Sequence, residues 1–332
     1  MNSRWSVTWW GLALLLLGLL GVLLGTTVGS QGVEAWWLGS PDPVVHQIVW
    51  DIRLPRSLGA WLGGALLGLA GAVAQGLFRN PLADPYLLGS ASGASLGVSL
   101  YLSLLGGSVM AVGWLPRLGM TGAAFAGAVL AVMLTLFLAR GVQQTLRLLL
   151  AGVVVGVVLG ALASLVALMA PHVMQAMQGF MLGSTSFIGW SACVLMALAL
   201  VVCLSGSWAL SRVLDALTLG ESTALSLGMP LFQARLLLVG LLSLATGAAV
   251  AQMGLVAFVG LAAPHAVRSL VRCTHAGVLV LSALMGAALL LAADVLARSL
   301  MAPQEMPVGV LTAVLGGAYL LWRMNQVSGG RA

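Results

Sequence analysis

The chain contains no lysine, and only eight of its 332 residues are acidic. Without lysine, a phosphate-binding loop of the G-x-x-x-x-G-K-[ST] kind cannot form, so any ATP energy must come from a separate subunit. The acids are Glu34, Asp42, Asp51, Asp84, Asp215, Glu221, Asp294 and Glu305. They form no chain of carboxylates inside apolar sequence, which argues against an ion-coupled secondary transporter. The four histidines (His46, His172, His265 and His275) are far apart and lack a paired carboxylate, so no metal site is expected. Cys193, Cys203 and Cys273 lie in or beside apolar runs, without metal-ligand spacing or a disulfide framework, and read as packing residues. No nucleophile set supports a membrane enzyme, and no cofactor is expected.

Charge of either sign is scarce. Charged residues make up 7% of the chain and hydrophobic residues 61%, with a mean hydropathy of +1.09. A soluble chain carries about 25% charge. So little polar surface cannot cover a water-soluble globule, and the same numbers exclude disorder. What remains is an all-α, polytopic membrane protein lying in a lipid bilayer. Its fourteen basic residues are all arginine, spread singly between apolar runs, and despite a pI near 10.2 they form no stripe for nucleic acid. Their use is to fix topology.

A helix needs about 20 apolar residues to cross a bilayer. Stretches free of Asp, Glu and Arg place spans at 9–29, 57–78, 85–116 and 118–139. The first mimics a signal peptide but reads better as an uncleaved helix. Two spans fit 148–211, separated by the polar break of Pro171, His172, Gln175, Gln178 and Gly183 to Ser186. The stretch 236–267 holds one long span or two short ones, and 273–293 and 306–322 complete the set. With two short spans the total is ten, and an N-terminus in the cytoplasm puts ten arginines inside. Only Arg53, Arg56, Arg117 and Arg298 then lie outside. A single span there gives seven against seven and no bias, so ten is expected, with both termini cytoplasmic.

Glycine is abundant, at 43 residues. Lipid tails supply no hydrophobic drive between helices, so close backbone approach must supply the contact. Gly64 and Gly68, and Gly152, Gly156 and Gly160, recur at four-residue spacing as smooth faces for a tightly packed Gly/Ala-rich bundle. Ala72-Val73-Ala74-Gln75 in the second span recurs as Ala249-Val250-Ala251-Gln252 in the seventh. Those spans run in opposite directions, the pattern of an inverted repeat in a transporter.

Two loops on the inner side are unusual. Arg79 to Gly89 carries Pro81 and Pro85, which break helix and stiffen the turn, before the small run Ser90 to Ala94. The longest inner loop, 212–235, contains Glu221 to Leu227 between Gly220 and Gly228, a short amphipathic helix suited to docking a soluble partner.

Four blocks then carry a resemblance: Arg53-Leu54-Pro55-Arg56; Asn80-Pro81-Leu82-Ala83-Asp84-Pro85 with Leu87-Leu88-Gly89; Phe258 to His265 with Arg268; and Met306-Pro307-Val308-Gly309 onward with Gly316-Gly317. Together they resemble the FecCD family of permeases, the membrane subunits of ATP-driven importers for iron–siderophores, haem and vitamin B12. Similarity extends over nearly the whole chain, read as one transmembrane permease domain, 1–332. The resemblance implies a bacterial inner-membrane homodimer working with two cytoplasmic ATPase subunits, which bind ATP and Mg, and one periplasmic binding protein. It implies that Arg53, Arg56 and Arg298 receive glutamates of the binding protein. Gly220, Glu221, Ser222 and Leu225 match the family's coupling helices, Asn80 and Leu82 a cytoplasmic gate, and Thr145 part of a second gate. That second gate usually has two small hydroxyl residues, and this chain departs from it with Thr145-Leu146. A substrate path is expected at the dimer axis, with His172, Met174, Met177, Gln178 and Met181 near its outer end. An iron chelate is the expected cargo and cobalamin the alternative.

Overall fold

The segment from Pro43 to Phe78 sets the frame. In the computed structural model, which describes residues 3–29, 32–33, 43–105, 114–139 and 145–329, it is helical throughout: α2 (Pro43–Ile48), a wide π turn (Val49–Arg53) and α3 (Leu54–Phe78). A π turn inside a helix often marks a functional site, and this one ends at Arg53. Pro55 starts α3 and Arg79, at φ 51°, caps its end. Almost every residue of α3 is buried, as fits a helix apolar all round at the centre of a bundle.

The other helices gather round it: α1 (Ser3–Thr27), α4 (Ser90–Leu105), α5 (Trp114–Leu138), α6 (Thr145–Met169), α7 (Pro171–Leu182), α8 (Trp190–Ala209), α9 (Ser211–Thr218), α10 (Glu221–Ser226), α11 (Leu231–Met253), α12 (Val259–Leu270), α13 (His275–Ser299) and α14 (Val308–Gly329). A two-residue strand pair, Val28–Gly29 with Gly32–Val33, follows α1. Seven helices among the described residues are long and apolar enough to cross a membrane: α1, the 43–78 helix, α5, α6, α8, α11 and α13. α4 has 16 residues and α12 only 12. The stretch 236–267 does hold two helices, as the arginine bias demanded, but the second starts at the left-handed Phe258 and is short.

Glycines make the seams. A methyl on Gly64 would meet the carbonyl oxygen of Gly286 at 2.3 Å, and one on Gly68 that of Ser282 at 2.1 Å. These pairs run in opposite order, so α3 and α13 are antiparallel and touch backbone to backbone. Gly93 and Gly97 make the same seam between α4 and α5, against Gly127 and Ala123. Gly152 of the expected smooth face of α6 lies 2.0 Å, by the same measure, from the carbonyl of Leu87; Gly156 and Gly160 lie near Gly89 and Ser92. That face therefore receives the stiff turn after α3. The two Ala-Val-Ala-Gln runs fall on α3 and α11, which are antiparallel: Gly63 near the start of α3 faces Met253 at the end of α11. The polar break at 171–186 does separate two long helices, α6 and α8, as expected, and it is itself partly helical: Pro171 begins α7, with Val173, Met177 and Phe180 turned to the interior at helical spacing.

Candidate functional site

Charged residues collect at the two ends of α3, a helix of 25 residues and so about 37 Å long. At its first turn Arg56 donates from Nε to Asp294 at 3.1 Å and from Nη1 to both oxygens of Glu305, at 3.0 and 2.8 Å. Asp294 also pairs with Arg298, one turn on in α13, and accepts from the Thr185 hydroxyl. Arg298 donates further to the Gly25 carbonyl at 2.9 Å and to Ser57 Oγ at 3.1 Å. Ser186 donates to Glu305 at 3.0 Å. One network thus ties α1, α3, α13 and the turns before α8 and α14. Arg53, half-buried, donates to the Thr26 carbonyl at 3.2 Å.

Of the three arginines expected to receive a partner's glutamates, the structure places Arg56 and Arg298 inside the bundle, Arg298 only 1% exposed. A buried charge is tolerable only when paired, and both are paired within the chain. Pairing of Arg298 with Asp294 was foreseeable from their spacing of four residues. The parts of Glu305, Thr185 and Ser186 were not, since each comes from a distant stretch.

At the other end of α3, Glu221 pairs with Arg235 of α11 and, at 3.5 Å, with Arg79. The short helix expected at 221–227 is α10, bounded by Gly220 at φ 104° and Gly228 at φ 74°, where a side chain would strain the backbone. Only Ala224 of α10 is buried; Ser222 faces outward and Leu225 is 61% exposed. Beside it Asp215 of α9 accepts from the backbone N–H of His275 at 3.0 Å and pairs with its Nδ1 at 2.7 Å. Asp215 thereby caps the start of α13 from another helix.

The turn after α3 is pinned at each step. Asn80 Oδ1 accepts from Leu82 N at 2.9 Å, Asp84 Oδ1 from Tyr86 N at 2.8 Å, and the Tyr86 hydroxyl donates to the Val256 carbonyl at 3.1 Å. Asn80 and Leu82, the expected first gate, are both exposed at this end. The Thr145 side chain, from the expected second gate, lies outside the described residues.

Between the two ends, Met174, Met177, Gln178 and Met181 of α7 line a recess of about 290 Å³ together with Ser92 and Ser95 of α4 and Ser164 of α6. The expected path residues are therefore brought together, except that the His172 side chain lies outside the described residues. No cluster of three or more metal-ligating side chains exists among the described residues.

Known proteins resemble this chain in sequence and in fold. The sequence matches the FecCD transport family over residues 13–326. It is 38% identical over 317 residues to the vitamin B12 import system permease protein BtuC of Escherichia coli O157:H7, covering 94% of each chain. The corresponding protein of Salmonella paratyphi A is 40% identical over 315 residues, again with 94% of each chain covered. Among solved structures, a metal-chelate type ABC transporter in an inward-facing conformation superposes with a TM-score of 0.83 at 29% identity, covering 93% of this chain and 96% of that one. PsaBC from Streptococcus pneumoniae, at 20% identity and a TM-score of 0.55 over 79% of this chain and 88% of that one, shares the fold.

Proposed function

The chain belongs to the FecCD transport family, and from that premise we propose how this multi-pass permease of an ATP-binding-cassette importer is oriented, partnered and loaded. The Arg56 end faces the periplasm and the Glu221 end the cytoplasm, with ten crossings of the inner membrane and both termini inside. α4 and α12, too short to cross alone, complete their crossings with the turns beside them. Two copies of the chain form a dimer, served by two cytoplasmic ATPase subunits that dock on α10 and by one periplasmic binding protein that docks at the Arg56 end. The cargo is a large metal chelate. End-to-end relation to the vitamin B12 permeases, at 38–40% identity, carries cobalamin as the first ligand to try. The metal-chelate type neighbour keeps an iron chelate, siderophore or haem, as the second. The methionine lining of the recess suits either chemically, since thioethers adapt to bulky apolar surfaces.

The deciding experiment is ATP-driven uptake into proteoliposomes holding this chain, its ATPase and its binding protein. Accumulation of cyanocobalamin but not of haemin or a ferric siderophore supports the first cargo, and the reverse supports the second. Accumulation of neither refutes the chelate reading. Leu225→Asp, on an exposed face of α10, is expected to lower ATPase stimulation at least tenfold without loss of folded protein. Wild-type stimulation removes α10 from the coupling role.

A further inference from the structure

Two carboxylates hold the arginine cluster, and they are unlike. Asp294 has a fully buried side chain within α13, and it accepts from Arg56, Thr185 and Arg298. It cannot leave without stranding two guanidinium groups. Glu305 has a side chain 28% exposed. It ends a run, 299–305, whose every residue is exposed; Gln304 N–H closes a turn on the Met301 carbonyl at 2.9 Å, and the run rejoins α13 at Met306, whose N–H donates to the Ala297 carbonyl at 3.1 Å. Among the described residues its carboxylate is held by Arg56 Nη1 and by Ser186 Oγ alone.

We propose that Glu305 is an internal stand-in for a carboxylate of the docking partner, occupying Arg56 while the surface is empty and yielding it when an acidic side chain of the partner arrives. The inference rests on the reading of this end as the docking surface. Arg56 and Arg298 balance Asp294 and Glu305 in charge, so the cluster is neutral at rest. Swinging Glu305 into water leaves one buried positive charge unmatched, which is unfavourable unless another carboxylate takes the same fork. An acidic partner supplies it, and the exchange swaps like for like. Docking is then selective for a carboxylate at this position yet easily reversed, since the departing partner is replaced at once from within. Arg298, held on three sides and nearly free of solvent contact, stays a structural support rather than a handle.

The test is the affinity of the purified periplasmic binding protein of the same transport system for the full-length chain in lipid nanodiscs, measured by surface-bound kinetics. Glu305→Gln is expected to tighten binding roughly tenfold, mostly through slower dissociation. Ser186→Ala, which loosens Glu305 without changing charge, should tighten it two- to threefold. Arg56→Gln should weaken binding and abolish the gain from Glu305→Gln in the double variant; Arg56→Lys replaces it if the glutamine variant does not fold. Unchanged or weaker binding by Glu305→Gln, beside weakened binding by Arg56→Gln, overturns the stand-in and leaves the docking surface intact. A gain that survives in the double variant shows a diffuse charge effect and also overturns it. Arg56→Gln with unaltered affinity overturns the docking reading itself.

Discussion

Replacing Gly68 by alanine adds one methyl to a membrane helix, a change that ordinary propensity favours. A Cβ there would lie 2.1 Å from the Ser282 carbonyl oxygen and 3.1 Å from the Gly286 Cα, both backbone atoms that no rotamer change can move. The seam between α3 and α13 must therefore open by about 0.9 Å to bring the oxygen to the 3.0 Å below which real Cβ contacts essentially never fall. A gap of that size forfeits a quarter to a half of the dispersion energy of each facing atom pair, itself ~0.1–0.2 kcal/mol. Along the seam, with the strain of overpacking, the loss is about 2–3 kcal/mol. Against it stands a gain of up to ~1 kcal/mol from removing a mid-helix glycine. The net expectation is a loss of about 1–2 kcal/mol. Gly240→Ala is the matched control, because nothing lies within 4 Å of a methyl on that exposed glycine of α11. It should be neutral or slightly stabilising. Unfolding of both variants in detergent, followed by circular dichroism, makes the comparison. Equal stability would show that the α3–α13 seam is looser than its geometry requires.

Asp294→Asn should cost about 3–5 kcal/mol, since it leaves two buried guanidinium groups with one carboxylate between them; a wild-type melting temperature would refute the pairing. Asp84→Asn should preserve the acceptor for the Tyr86 amide, while Asp84→Ala loses it at about 1 kcal/mol.

Much of the bundle was legible because its physics is local. Charge-free stretches marked α1, α3, α5, α6 and α8, and the arginine bias required two helices in 236–267, where α11 and α12 stand. That the break between α6 and α8 holds a helix of its own, α7, went unread for a definite reason. Pro171, Gln175 and Gln178 look like a connector when composition is averaged, yet proline belongs at a helix start, and Val173, Met177 and Phe180 recur at helical spacing. Gln175 and Gln178 are exposed on the other side of α7, so an average over both faces hides the inward stripe. The helical run 43–53 was hidden in the same way, because Asp51 and Arg53 broke the apolar count without breaking the helix.

The ends of the molecule divide along a similar line. α10 was visible because two glycines six residues of helix apart fix its limits whatever surrounds it. The Asp294–Arg298 pair follows from a spacing of four, which puts both residues on one helix face. Glu305, 249 positions from Arg56, leaves no trace at that separation. The arginine bias put Arg56 on the outer side, and the family resemblance implied a partner's carboxylate for it. What sequence did not reveal is the carboxylate pair that holds it in the chain itself, and the glycine seam is the reason that pair is in reach. Because Gly64 and Gly68 let α3 touch α13 backbone to backbone, Arg56 is drawn within reach of a carboxylate already committed to Arg298, and its charge is met inside the chain until a partner's carboxylate displaces Glu305.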